Sequence, residues 1–111
     1  MIYSKVHITQ EDVERAKTEL LYHIACARQS NQELICCLIE VTDERILKKI
    51  LTECTKLLKK MKKENKLSLF LTSDAFHLES VETEYLFNKH PDVKSDVFLN
   101  STNTPYIFIR L

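Results

Sequence analysis

The chain has 111 residues, 44% of them apolar and 29% charged, and its sixteen basic residues are matched by sixteen acidic ones. That is the make-up of one globular domain with its own core, and the charge balance leaves no global field to attract nucleic acid, a membrane or an acidic substrate. No apolar run approaches the roughly 18–20 residues of a membrane span, and the first ten residues lack the apolar segment of an export signal.

Residues 2–8 open the chain with an alternation of Ile2, Ser4, Val6 and Ile8 against Tyr3, Lys5 and His7, the pattern of a half-exposed strand. Thr9 is a candidate N-cap, with Gln10, Glu11 and Asp12 in the following turn, where the helix dipole favours acid. Val13, Ala16, Leu20, Ile24 and Ala27 then form one apolar stripe at helical spacing, ended by Ser30-Asn31-Gln32. Residues 34–41, LICCLIEV, are nearly continuous in apolar and branched side chains, which predicts a strand covered on both faces.

Thr42-Asp43 caps a second helix over 44–63. Leu47, Ile50, Leu51, Cys54, Leu57, Leu58 and Met61 mark its core face, with Lys48, Lys49, Lys56, Lys59, Lys60 and Lys63 opposite. A third strand is predicted over 67–71 and a short helix over 81–89, which Pro91 stops. Val97-Phe98-Leu99 and residues 106–111, YIFIRL, complete the chain as strands. The order β-α-β-α-β-α-β-β predicts a single α/β domain over 1–111, with right-handed crossovers and a largely parallel or mixed sheet packed by amphipathic helices.

Two absences narrow the function. There is no glycine, the residue that permits positive φ without strain and lets backbone approach a phosphate. A P-loop, a dinucleotide fingerprint and a G-x-S-x-G elbow are thereby excluded in their usual forms. The four cysteines, Cys26, Cys36, Cys37 and Cys54, all fall inside predicted elements and recur in no metal-ligand spacing, so they read as small buried hydrophobes in a reducing compartment. His23 and Cys26 share a helix face but lack a second pair. No cofactor and no metal are expected.

The tripeptide His90-Pro91-Asp92 resembles the one that J-domain co-chaperones use to stimulate an Hsp70. The resemblance covers three residues and implies an all-helical scaffold with a basic helix ahead of the motif. Here an acidic helix bearing Glu82 and Glu84 precedes it and strands follow, so Pro91 reads as a helix stop.

Asp43 and Asp74 close the second and third strands, where ligands of open parallel sheets bind, with His77 one turn beyond Asp74. Together they are the candidates for a divalent-metal-dependent enzyme, although capping alone also calls for acids at such junctions. Lys56, Lys59, Lys60 and Lys63 are the candidates for a nucleic-acid face. The leading expectation is non-catalytic: a protein-interaction module, subunit or adaptor of an intracellular assembly, cytoplasmic or nuclear. It would meet a protein partner, or a second copy of itself, through an exposed sheet edge. The alternating first strand and the C-terminal strand are both edge candidates. The second is preferred, with Tyr106, Ile107, Phe108 and Ile109 as contacts.

Overall fold

A computed structural model describes residues 4–72, 88–89, 91 and 105–111 of the chain. The α/β class holds. In chain order the described elements are β1 (Ser4–Ile8), α1 (Val13–Gln29), β2 (Leu34–Ile39), α2 (Glu44–Lys63), β3 (Leu69–Thr72) and β4 (Tyr106–Arg110). The helix expected over 81–89, the strand at Val97-Phe98-Leu99, and His90 and Asp92 of the tripeptide fall wholly or mainly outside the described residues.

The four strands lie in the order β1-β2-β4-β3. β1 is parallel to β2, while β4 is antiparallel to both β2 and β3. Three strands therefore run one way, with β4 reversed between two of them. Both helical crossovers step in the same direction across the sheet, from β1 to β2 and from β2 past β4 to β3. Right-handed connections of that kind place both helices on one face. The core agrees: Leu20 and Ile24 of α1 and Ile50, Cys54 and Leu58 of α2 join Ile35, Cys37, Ile107 and Ile109 in one cluster. The alternate side chains of the central strands, Leu34, Cys36, Tyr106 and Phe108, form a second cluster with Leu69 on the opposite face. A strand that is apolar at every position satisfies both faces at once, which is why β2 carries no alternation.

The placement of β4 corrects an expectation. Tyr106 through Ile109 do not form an edge, because Ile107 is partnered by Cys37 on one side and Thr72 on the other. All four residues are buried. Tyr106 and Phe108 stack at 6.0 Å on the face away from the helices. An apolar strand of this kind is stabilised by burial on both faces and by ladders on both sides, so nothing of it is left to pair with another chain.

The helix termini show how a glycine-free chain closes its helices. Asp12, not Thr9, is the N-cap of α1, its carboxylate accepting from the Arg15 N–H at 3.0 Å. At the other end the Gln32 N–H donates to the Ala27 carbonyl and the Asn31 N–H to that of Arg28, a Schellman closure with Asn31 at φ 55°. α2 ends identically: Lys66 N–H to Met61, Asn65 N–H to Lys62, and Asn65 at φ 58°. Asparagine is the non-glycine residue that best tolerates this left-handed region. Arg28 donates from its guanidinium to the Lys66 carbonyl, tying the two helix ends together.

Candidate partner-docking site

With β4 inside the sheet, β1 becomes the strand to consider. The Glu40 N–H donates to the Ile8 carbonyl at 2.9 Å, so the backbone of Ile8, and by alternation of Val6 and Ser4, faces β2. The backbone of His7 consequently turns outward. Among the described residues no strand pairs with that outer side. The side chain of His7 folds back to Glu40, with Nδ1 2.8 Å from the carboxylate.

A hollow of about 160 Å³ lies between β1 and the C-terminal half of α1, lined by Ser4 and Val6 from the strand and His23 and Cys26 from the helix, with Gln32 at its end. A second, shallower hollow of about 570 Å³ follows α1 outward over Arg15, Thr18, Glu19 and Tyr22. Three buried polar atoms along α1 and the turn after it have no hydrogen-bond partner among the described residues: Glu19 Oε2, His23 Nε2 and Gln32 Oε1. His23 Nε2 and the other Glu19 oxygen are 3.7 Å apart, too far for a hydrogen bond. Each such orphan costs about 1–3 kcal/mol, a cost that an incoming donor would remove. Leu21 and Tyr22 are the exposed large apolar side chains among the described residues, at 41% and 64% exposure. The phenol pKa of Tyr22 is raised, first through its hydrogen bond with Cys26.

The outward face of α2 is the other distinctive surface. Arg45, Lys48, Lys49, Lys56, Lys59, Lys60 and Lys63 are all exposed. At 100° per residue they fall within about 120° of one another around the axis, diametrically opposite buried Cys54. The acids of the helix flank this stripe without entering it: Glu44 meets Lys48 at 3.8 Å and Glu53 meets Lys56 at 3.2 Å. Among the described residues no carboxylate forms an ion pair with Arg45, Lys49, Lys59 or Lys63, while Lys60 lies in the field of Glu64.

The enzyme candidates do not assemble into a described constellation. The Asp43 carboxylate accepts from the Arg45 and Ile46 N–H groups at 2.9 and 3.2 Å, so it serves as the N-cap of α2. Asp74 and His77 lie outside the described residues. A hollow of about 490 Å³ does open at the carboxyl end of β2, but its carboxylates are Glu40 and Glu44, and Glu40 is already held by His7. Among the described residues no three His, Cys, Asp or Glu side chains converge as a metal cage. Burial pushes the Cys36 thiol up to about 12 and that of Cys54 to about 11, and Cys37 higher still, so none of the three is a nucleophile near neutral pH. No described helix is long and apolar enough to cross a membrane.

Sequence patterning found the lysine stripe and named β1 as one of two edge candidates. It missed Glu19 and His23, neighbours one helical turn apart on α1, and Gln32, which shares the smaller hollow with His23 because the turn after α1 returns it beside the helix. The one available signal was Leu21-Tyr22, two large apolar residues that the core stripe of α1 does not require. Neither a protein-family model, nor a curated protein, nor a solved structure matches the chain.

Proposed function

We propose that this chain is a non-catalytic protein-interaction module, the docking subunit of an assembly, and that it adds an extended segment of its partner to β1. The observation that carries this reading is the hollow between β1 and α1, which adjoins a sheet edge and is lined by His23 and Gln32, each with a buried polar atom that has no hydrogen-bond partner among the described residues. Strand addition takes most of its affinity from main-chain hydrogen bonds and its selectivity from pockets for alternate side chains. The outward backbone of His7 supplies the first, and the 160 Å³ hollow supplies the second. Gln32 Oε1 at this hollow, and Glu19 Oε2 at the larger one along α1, favour a partner side chain that donates N–H groups, an amine, guanidinium or carboxamide. Tyr22, beside the larger hollow, offers the rigid aromatic contact common at interface hot spots.

The test uses displayed libraries of short peptides selected against the whole chain. Enriched peptides should share a donor side chain and should lose binding to His7→Pro. That substitution removes an outward N–H while sparing the ladder to β2, as proline on an edge strand does. Glu19→Gln with Gln32→Leu should weaken the same peptides and change which donor is preferred. A selection that enriches nothing, or peptides that bind His7→Pro as well as the parent, would overturn the proposal.

A further inference from the structure

We propose a second binding function on a different surface: the outer face of α2 binds the phosphate backbone of duplex nucleic acid without reading its sequence. The helix holds eight of the sixteen basic residues of the chain and only two of the sixteen acids. The overall balance therefore conceals a strong local segregation. From Arg45 to Lys63 the stripe runs for about 27 Å at 1.5 Å per residue. One strand of a duplex presents a phosphate about every 3.4 Å along its axis, so a stripe of this length faces a row of charges, not a single anion.

The chemistry of the stripe selects among polyanions. It contains no aromatic side chain, and single strands are held by stacking on aromatic platforms, so a stacked duplex with its charge on the outside is the better match. Interfacial membrane helices bury an apolar face among the lipids. The apolar face of α2 is instead committed to the core through Ile50, Cys54 and Leu58, each fully buried. Thr52 is the one neutral polar residue on the stripe, so the amide and carboxylate side chains that read adenine and cytosine are absent, and the arginine and lysines have phosphates as their first partners. Arg45, Lys49, Lys59 and Lys63, which have no ion-pair partner among the described residues, are ready to replace condensed counterions, and release of those ions is the driving force of non-specific binding.

Fluorescence anisotropy on the whole chain decides the matter, with labelled DNA duplex, RNA duplex, single strand of the same sequence, and phosphatidylserine vesicles as separate arms. The expected result is binding to duplex of either sugar, independent of sequence, and weaker binding to single strand and vesicles. If six or more phosphates are engaged, affinity falls by at least about 10³-fold between 50 and 200 mM salt. Replacing Lys49, Lys56, Lys59 and Lys60 together by glutamine lowers the slope of log K against log salt by about 0.9 per cation. In 100 mM salt that is a loss on the order of 10³-fold. All four are exposed, so an unchanged urea midpoint checks that the fold survives, and Lys66→Gln, off the stripe, is the control. Absence of duplex binding in low salt, a preference for single strand or vesicles, or binding indifferent to the quadruple substitution overturns the proposal.

Discussion

Cys37 shows what the interior does to an ionisable group. It lies fully buried between the sheet and the helices, and burial is the main cause of its raised thiol pKa, followed by the neighbouring Cys36 and Cys54. In the unfolded chain the same thiol ionises at about 8.5. A group whose folded pKa is raised contributes stability that is complete below the unfolded value and is lost as pH rises past it. From pH 9 towards 11, folding must hold Cys37 protonated while the unfolded chain gains by releasing that proton, which costs about 1.4 kcal/mol per pH unit. In Cys37→Ala the urea-derived stability should therefore decline less steeply over this window by about that amount. Parallel declines in the two proteins would show that Cys37 ionises as readily folded as unfolded. Asn31 and Asn65 make a related point about the backbone. In a chain without glycine they occupy the two left-handed helix ends, a role legible at Ser30-Asn31 as a break and at Asn65 only once the Schellman bonds are seen.

Among the elements, α2 is legible in the sequence with both its ends, because period, cap and charge all agree over residues 44–63. The sequence pattern places the start of α1 too early, since Thr9 and Asp12 are both capping types and the carboxylate of Asp12 is the one that accepts from the Arg15 N–H. The pattern of β4 identifies it as a strand, but the expectation that it forms an edge does not hold. Its run of Tyr106, Ile107, Phe108 and Ile109 lacks alternation, as β2 does, and continuous apolarity is the mark of a strand covered on both faces. That signal was in the sequence. What local pattern cannot supply is the identity of the neighbours, which pairs β4 with strands at residues 34–39 and 69–72. The correction changes the meaning of substitutions there. Ile107→Lys places a charge at a fully buried position between two ladders, a change large against a total stability of about 5–15 kcal/mol. The expected outcome is loss of the folded state, seen as loss of the cooperative thermal transition by circular dichroism. Phe108→Ala should fold but lose about 3–5 kcal/mol in urea titration. An Ile107→Lys protein that stays folded and changes only in association would restore β4 as an interface.

At the scale of the molecule, strand order determines where the surfaces can be. Both crossovers step the same way, and both helices join the cluster on one side of the sheet, so they share one face of it. α1 packs on β1 and β2, and α2 reaches over towards β3. The hollow beside β1 is consequently bounded by α1, and no residue of the lysine stripe lines it. The two proposed functions draw on different forces as well, main-chain pairing at the edge and counterion release on the helix. Sites that share no residue and no ion pair combine additively, usually within about 0.3–0.5 kcal/mol. His7→Pro should therefore leave duplex affinity and its salt slope unchanged. The quadruple lysine substitution should leave peptide binding unchanged, and a protein carrying both sets should lose both activities by the single-variant amounts. The measurement is a double-mutant cycle with a selected peptide and a duplex as separate probes. A coupling of more than about 1 kcal/mol would mean that the edge and the helix act as one surface, and that partner and nucleic acid compete for it or reinforce each other.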